Sequence, residues 1–251
     1  MNESFLPKAV EVARVAGQML LSVFGKPLQV DKISEHDVKL HLDRDCQELI
    51  TQQLLATFSE HTVFGEEGGT DYGKSEYQWI VDPIDGTVNF FYGFPHFCVT
   101  LALQQNQQTI LGVTYDPIRD ELFTAIRGRG AKRNGRKIQV SLRTQLSEAM
   151  VSTGFAKIKT VVNESWEHVR YLAEHALKIR MNGCAALDLA YIACGRLDVY
   201  MERGIRLWDI AAGKLLVEEA GGKVDLKPRE TPLSYQMMAS NGKILDLPKG
   251  E

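Results

Sequence analysis

The strongest constraint on the fold is an apolar run that stops abruptly at two acids. Trp79-Ile80-Val81 has the composition of a buried strand, and Asp82-Pro83 and Asp85-Gly86-Thr87 follow almost at once. Because Asp82 ends the apolar run and precedes a stiffening proline, we predict that it lies at a strand terminus. Functional sites of α/β proteins commonly form at such termini.

Apolar periodicity on either side of this strand predicts a chain of mixed α+β and α/β class. Helical spacing predicts helices at residues 4–24, 43–58, 164–175, 185–194 and 208–220. Short apolar or alternating runs predict strands at 62–64, 97–104, 110–115, 121–126, 149–153, 197–201 and 222–226. Asn134-Gly135 predicts a hairpin between residues 131–133 and 137–140. An α+β lobe at 1–146 is predicted to continue, without a Gly-, Pro- or Ser-rich linker, into an α/β lobe at 147–251.

Composition and charge narrow the classes of function. The 251 residues carry a formal net charge of −3, which argues against nucleic acid as the main partner. The first helical pattern mixes charged with apolar residues, so neither a signal peptide nor membrane association is expected. Four scattered cysteines without CxxC spacing predict reduced thiols in a cytoplasmic protein, and argue against a zinc knuckle or a disulfide framework.

Acidic residues are the main candidates for a functional site. They are Asp43, Glu66, Glu67, Asp82, Asp85, Glu202 and Asp209. Any one of them alone fits a solvated surface charge, and Asp209 also fits a first-turn acid that meets the dipole of its helix. Magnesium prefers a few carboxylates together with water and phosphate oxygens. Since the six histidines lack the spacing of a zinc site, a hard divalent cation is the better expectation.

The segment after the apolar run combines metal ligands with phosphate donors. Asp82 and Asp85, three residues apart across a proline, can point to one locus, where the Ile84 carbonyl offers another ligand. Gly86 and Thr87 add backbone N–H groups and a hydroxyl, which suit phosphate oxygens where a helix begins. This combination indicates metal-assisted phosphoryl chemistry.

A competing motif lies just upstream. Residues 68–75 satisfy the GxxxxGK[ST] pattern of nucleotide-binding P-loops. A P-loop needs a helix that opens at Gly-Lys-Ser, and too few residues separate this pattern from the next strand. Glu66 and Glu67 would also repel a triphosphate. We therefore predict a mobile surface loop here.

Three segments, in this order, resemble the inositol monophosphatase family of magnesium-dependent, lithium-sensitive phosphatases. They are Gly65-Glu66-Glu67, residues 79–90 with VDPIDGTVNF, and Trp208-Asp209 with the later Glu219-Ala220-Gly221-Gly222. The likeness runs over nearly the whole chain. It implies a layered αβαβα sandwich of the inositol monophosphatase/fructose-1,6-bisphosphatase type, a homodimer, and a metal cluster between two lobes.

The resemblance also implies two to three Mg²⁺ ions in each active site. Glu66, Asp82 and the Ile84 carbonyl would hold the first ion. Asp82, Asp85 and Asp209 would hold the second, with Asp82 bridging the two. A weaker third ion would depend on Glu66 and water, so Glu66 counts among the catalytic residues as well as the metal ligands.

For catalysis, the resemblance implies that Asp43 and Thr87 orient and deprotonate the attacking water. Gly86 and Thr87 would hold the phosphate. Lys32 aligns with a lysine near the metal site of the family, and an exposed loop lysine is its alternative interpretation. The chain has Leu42 before Asp43, where the family often has threonine, and this departure weakens the assignment of Asp43.

The alcohol part of the substrate would contact Asp85, Asp209, Cys184, Ala185 and Glu202. Cys184 stands where the family commonly has threonine or serine, and a thiol there weakens hydrogen bonding to a polyol. Glu202 matches an acid that contacts inositol hydroxyls in inositol-specific members. The resemblance thus implies hydrolysis of myo-inositol-1-phosphate, or of a related small polyol or sugar phosphate, by two-metal activated water attack.

Other substrates remain open on the same scaffold. Fructose-1,6-bisphosphatase, histidinol-phosphatase and 3′-phosphoadenosine-5′-phosphate nucleotidase activities are the alternatives, because substrate loops vary while the metal site does not. A binding protein that keeps the fold without catalysis is the alternative from another class. The presence of every metal-ligating acid argues against it, so we expect a small phosphate ester as the partner.

Overall fold

The computed structural model describes residues 2–34, 37–155 and 159–247. The helices are α1 (Leu6–Val23), α2 (His41–Thr57), α3 (Thr87–Phe91), α4 (Lys159–His175), α5 (Ala185–Ala193) and α6 (Leu207–Glu219), with 3₁₀ turns at Asn2–Phe5 and Leu146–Glu148. The strands of the first half are β1 (Val30–Ser34), β2 (Asp37–Leu40), β3 (Thr62–Gly65), β4 (Gly68–Gly69), β5 (Tyr77–Asp85), β6 (Cys98–Gln105), β7 (Gln108–Asp116), β8 (Glu121–Ile126), β9 (Gly130–Arg133) and β10 (Arg136–Lys137). Those of the second half are β11 (Met150–Thr153), β12 (Lys178–Arg180), β13 (Val199–Arg206), β14 (Lys223–Pro228) and β15 (Ser234–Ser240).

Two larger sheets dominate the described ranges. The first has eight strands in the order β10-β9-β8-β7-β6-β5-β3-β4, and the second has five in the order β12-β11-β13-β15-β14. Strands β1 and β2 form a separate antiparallel pair. Most neighbours are antiparallel, while β3 and β5 run parallel, as do β11 with β12 and β11 with β13. The parallel β3–β5 pair matters for function, because both strands end at the same edge of the sheet.

Strand β5 is buried on both faces, which explains its unbroken apolar sequence. Side chains alternate between the two faces of a strand. Trp79 and Val81 pack in the core formed with α1 and α2, whereas Ile80 packs against residues of α6. A strand covered by helices on both sides needs apolar residues at every position.

The helices and sheets stack in five layers. α1 and α2 cover one face of the eight-stranded sheet, α5 and α6 lie between the two sheets, and α4 packs on β12 and β13. At Gly112 of β7, an added Cβ would lie 2.9 Å from the Ala212 carbonyl oxygen, so a side chain there would push α6 away from the sheet. The αβαβα sandwich that the resemblance implies is confirmed.

The first helix shows how the apolar pattern becomes packing. Its buried residues are Ala9, Val12, Ala13, Ala16, Gly17 and Leu20, spaced three or four apart on one face. This stripe packs on the eight-stranded sheet and leaves a polar face outside. Among the described residues, no helix is long and apolar enough to cross a membrane.

The helices and strands largely occupy the predicted positions. All five predicted helices and all seven predicted strands are present with ends shifted by a few residues, and Asn134 and Gly135 take φ angles of 47° and 76°, as a type I′ hairpin requires. Helix α3 and strands β1, β2, β4, β12 and β15 were not predicted. Residues 73–75 form no helix, which agrees with the rejection of a P-loop. One hydrophobic core joins Phe123 with Leu189 across residue 146, and the lobe boundary there stays a prediction.

Candidate active site

The parallel pair β3–β5 places the first two acids side by side. Gly65 at the end of β3 lies opposite Val81 of β5, and the Glu66 N–H donates to the Val81 carbonyl at 3.3 Å. Glu66 directly follows Gly65 in the sequence, and Asp82 directly follows Val81. Because parallel strands end at a common edge, both acids reach one side of the sheet.

A bulge at the end of β5 turns a second acid toward the same place. Asp82 lies opposite Thr100 and Asp85 lies opposite Cys98, so β5 has one residue more than β6 over this interval. Pro83 lies in the bulge, where no ladder hydrogen bond is needed. The Ile84 N–H instead donates to Asp82 Oδ1 at 3.0 Å. The bulge therefore brings both carboxylates and the Ile84 carbonyl together.

Asp43 and Asp209 lie in the first turns of α2 and α6, and each accepts a hydrogen bond from a backbone N–H at the start of its helix. In α2, Asp43 Oδ2 accepts a hydrogen bond from the Leu40 N–H at 2.8 Å, and in α6, Asp209 Oδ2 accepts one from the Arg206 N–H at 2.9 Å. Each acid satisfies a backbone donor at a helix start and leaves its second oxygen for other contacts. Asp209 is thus the first-turn acid of the alternative interpretation, and it also lines the site.

Gly86 and Thr87 connect β5 to α3. Gly86 has φ of 93°, and an added Cβ would lie 3.0 Å from the His96 carbonyl oxygen, so only glycine fits without strain. The Thr87 hydroxyl lies 2.8 Å from the Ile84 carbonyl and 3.3 Å from Asp43 Oδ1. These distances place Thr87 between Asp43 and the end of β5. Its hydroxyl proton can be donated to either of the two oxygens.

These residues surround a cavity of about 390 Å³. Ten of the predicted site residues line it: Glu66, Asp82, Ile84, Asp85, Gly86, Thr87, Cys184, Ala185, Glu202 and Asp209. Asp43 lies behind Thr87 rather than at the wall. Glu67 points elsewhere and pairs with Lys39 at 2.8 Å. The side chain of Lys32 lies outside the described residues.

The carboxylates repel one another inside a buried pocket. Burial raises the pKa of Asp82 well above its ordinary value, and the charges of Glu66, Asp85 and Asp209 raise it further. Burial also raises the pKa of Asp85 to about 6, against the hydrogen bond from the Ala186 N–H. Among the described residues, no Lys or Arg forms an ion pair with Asp82, Asp85 or Asp209. Buried carboxylates that repel one another offer the oxygen donors that a hard divalent metal prefers.

Asp43 is also set apart by its pKa. Burial raises it to about 7 and the charge of Glu67 acts in the same direction, while hydrogen bonds from the Leu40 N–H and the Thr87 hydroxyl act in the opposite direction. A carboxyl group with this pKa exchanges its proton near neutral pH. It therefore has the acidity of a general base that works at pH 7.

Similarity to known proteins extends over the whole chain. A family model described as the inositol monophosphatase family matches residues 1–246. The chain belongs to this family. A relative named Nus factor SuhB from Xylella fastidiosa is 42% identical over 246 residues, covering 94% of this chain and 89% of the relative. Inositol monophosphatase 2 of Solanum lycopersicum is 40% identical over 230 residues, covering 88% and 87%. The solved structure of an extragenic suppressor protein SuhB from Bartonella henselae superposes with a TM-score of 0.88 at 35% identity, covering 96% of this chain and 95% of that one.

In this member of the inositol monophosphatase family, the cavity also includes Asp188, an acid that was not predicted from the sequence. Asp188 of α5 is 1% exposed, accepts hydrogen bonds from Ser152 at 2.6 Å and Asn182 at 2.7 Å, and lines the cavity. Burial raises its pKa to about 7. A single acid inside the otherwise apolar run Ala185 to Ala193 was the available signal, because a charge on a buried helix face needs a reason.

Three further residues that sequence reasoning did not single out also line the cavity. The buried Tyr200 hydroxyl donates a hydrogen bond to Glu202 Oε2. Phe155 adds an aromatic side chain, and Asn89 reaches across from α3 to the carbonyl of Asn182 at 2.8 Å. No short motif marks Phe155, Asn89 or Tyr200, since only the packing of distant parts of the chain brings them to the cavity.

Proposed function

We propose that this protein is a magnesium-dependent phosphatase that hydrolyses myo-inositol-1-phosphate or a related small polyol or sugar monophosphate. The convergence of Glu66, Asp82, Asp85 and Asp209 on one cavity, beside the Asp43–Thr87 pair, is the observation that supports it most. Membership of the inositol monophosphatase family supports the same reaction class.

The donor set is suited to two or three magnesium ions. Glu66, Asp82 and the Ile84 carbonyl would hold one, and Asp82, Asp85 and Asp209 a second. When bound, magnesium supplies the positive charge that makes water more acidic and stabilises the leaving oxygen. Binding would also remove the mutual repulsion that raises the pKa of Asp82.

The chain's own residues would move the proton and orient the reactants. In the proposed reaction, the Thr87 hydroxyl orients the attacking water, accepts a proton from it and passes its own proton to Asp43 Oδ1, which lies 3.3 Å away. The pKa of Asp43, about 7, lets the carboxylate accept a proton at neutral pH and release it afterwards. We assign the backbone N–H groups of Gly86 and Thr87 to the phosphate.

The alcohol side of the cavity favours a hydroxyl-rich group without a second charge. Glu202 and Asp188 both line the cavity, and we assign them to its alcohol side. Carboxylates accept hydrogen bonds from hydroxyl groups and repel a second phosphate. The two acids therefore favour polyol monophosphates over fructose-1,6-bisphosphate and 3′-phosphoadenosine-5′-phosphate.

Phosphate release from a substrate panel tests the proposal. The panel contains myo-inositol-1-phosphate, a sugar monophosphate, fructose-1,6-bisphosphate, histidinol phosphate and 3′-phosphoadenosine-5′-phosphate, each with and without Mg²⁺. We expect release that depends on Mg²⁺ and is fastest with the polyol monophosphate. Asp82→Asn should abolish it, while Asp225→Asn, a matched change at an exposed acid, should not.

Two results would contradict the proposal in different ways. Release of phosphate from no member of the panel would refute the enzyme, and equal activity of Asp82→Asn would refute the assigned site. A preference for a bisphosphate would leave the phosphatase intact and refute the argument from Glu202 and Asp188. Repeating the assay with lithium tests the sensitivity that the family resemblance implies.

We also propose a homodimer. Tyr92, Phe94 and Met181 are 77%, 56% and 61% exposed, which is high for large apolar side chains. Phe94 lies beside Arg180 and Asn182 at one cavity, so the segments before β6 and after β12 share a surface that a second protomer could cover. Light scattering should give twice the monomer mass, and a monomeric mass would refute the dimer.

A second candidate function is that of a Nus factor, since the Xylella fastidiosa relative carries that name. The test is whether this chain restores growth to a bacterium from which SuhB has been removed. Restoration by both the natural chain and Asp82→Asn would favour a role that does not need the phosphatase site. Failure of both would refute this candidate.

A further inference from the structure

Two thiols meet at the edge of the candidate active site. Cys98 and Cys184 are both buried, and their Sγ atoms lie 3.7 Å apart. Cys184 Sγ also lies 3.2 Å from Asp85 Oδ2. Donor atoms of Asp85, Cys98 and Cys184 all lie within 4.8 Å of one another. Within the described part of the chain, these side chains form a sulfur-rich cluster next to an oxygen-rich one.

The fold brings this cluster together from both lobes. Cys98 begins β6 directly opposite Asp85 in the β5–β6 register, and Cys184 precedes α5 of the second lobe. The Ala186 N–H donates to Asp85 Oδ2 at 2.5 Å and holds the carboxylate in place. Such a hydrogen bond orients a metal ligand before the metal binds.

The separation of the thiols suits one metal ion. Zinc–sulfur bonds of about 2.3 Å at a tetrahedral angle place two sulfur atoms about 3.8 Å apart. The observed 3.7 Å therefore needs almost no movement. A disulfide would instead require the sulfur atoms to approach to about 2.05 Å.

We propose that Asp85, Cys98 and Cys184 form a site for Zn²⁺ or another thiophilic divalent cation, and that this site shares Asp85 with the oxygen cluster. The two thiols release their protons to solvent and bind as thiolates, and Asp85 supplies one carboxylate oxygen. Asp85 and Cys184 line the cavity, so water can take the fourth position. Thiolates select zinc over magnesium, so this site and the oxygen cluster prefer different metals although they share Asp85.

An ion at this site inhibits the phosphatase, because Asp85 serves both clusters. This part of the inference depends on the proposed function, in which Asp85 holds magnesium. A carboxylate drawn toward the two sulfurs is less able to hold the second magnesium ion. Zinc is then an inhibitor whose action requires the thiols.

Cadmium absorption tests binding without reference to activity. Metal-free full-length protein is titrated with Cd²⁺, and the ultraviolet thiolate-to-cadmium charge-transfer band is recorded. We expect one ion per chain in the natural protein. Cys98→Ala should lose most of the band and bind Cd²⁺ at least about tenfold more weakly. Removing a group that only hydrogen-bonds to a metal ligand lowers affinity about tenfold or more, and removing the ligand itself should cost at least as much. Cys194→Ala removes a thiol outside the cluster and should behave like the natural protein.

A second variant guards against misfolding. Cys184→Ser keeps a side chain of similar size and should also lose the band, and circular dichroism of both variants checks that they are folded. A band of full strength in folded Cys98→Ala, or no band in the natural protein, would overturn the site.

Zinc inhibition of phosphate release, measured at constant Mg²⁺, tests the functional part. We expect Cys98→Ala to need at least about tenfold more zinc for half-inhibition than the natural protein or Cys194→Ala. Equal inhibition of all three would refute the inhibitory role while the cadmium titration still decides the site. If the protein releases no phosphate at all, the proposed function fails and the cadmium result stands by itself.

Discussion

Replacing Asp188 with asparagine should make the metal-free protein more stable at high pH. The carboxyl group is 1% exposed, and burial raises its pKa from 3.8 to about 7, with a smaller contribution from the charge of Asp85. Hydrogen bonds from Ser152 and Asn182 oppose this effect without cancelling it. Asparagine has nearly the same shape, can accept from Asn182 and can donate to the Ser152 oxygen.

The sign and size of the effect follow from the two pKa values. Below pH 3.8 the carboxyl group is protonated in both the folded and the unfolded chain, so its charge costs nothing. Between 3.8 and about 7 the folded chain retains a proton that the unfolded chain releases, so the free energy of unfolding falls as pH rises. Above about 7 the full cost, at most about 4 kcal/mol, has been reached. Asparagine removes this cost.

Urea denaturation of both proteins in the presence of a chelator, at pH 5, 6, 7 and 8, measures the difference. The advantage of Asp188→Asn should increase across this series and reach up to about 4 kcal/mol at pH 8. Asp225→Asn, at an exposed acid, should show no such trend. A pH-independent difference, or a less stable variant at pH 8, would refute the reasoning. With saturating Mg²⁺ the trend should weaken, because the metal offsets the charge of Asp85.

Three further predictions concern the site and its support. If Asp43 is the general base, kcat/KM of the natural protein falls below pH 7, and Asp43→Asn lowers the rate about 10²- to 10⁴-fold and removes this pH dependence; an unchanged pH profile would count against Asp43. Gly86→Ala places a Cβ at φ of 93° and 3.0 Å from the His96 carbonyl, so it should lower the free energy of unfolding by about 1–3 kcal/mol in urea; a fully stable variant would show that the turn can relax. Glu219 accepts hydrogen bonds from two backbone N–H groups at 2.7 and 2.8 Å, in the turn between β8 and β9, so Glu219→Ala should cost about 1–3 kcal/mol and Glu219→Gln less; equal losses for both would argue for packing instead.

The folding pattern of this chain could be predicted well where local physics decides it. The stripe from Ala9 to Leu20, the apolar run at Trp79, and the Asn134–Gly135 turn each determine their own secondary structure through periodicity or backbone preference. The short elements α3 and β12 lack such a signal, since a few residues cannot show a period. Packing against the neighbouring strands and helices stabilises them instead.

The candidate site also has a part that local sequence could predict and a part that it could not. Asp82, Ile84, Asp85 and the following glycine are close in sequence, so their grouping could be foreseen from one segment. An acid inside the apolar helix at Asp188 could be noticed in the sequence, but its place at this cavity depends on how α5 packs against distant parts of the chain.

By itself, the sequence determined that the central strand is buried, that it ends in two carboxylates, and that the chain resembles one family. Only the tertiary structure decided that Asp188 lines the same cavity, that Asp43 lies behind Thr87, and that Cys98 meets Cys184. The physical reason is the sequence separation over which each interaction acts. Strand and turn formation depend on neighbours a few residues away, whereas the repulsion among buried acids and the contact between two thiols depend on distances that only the packed core sets.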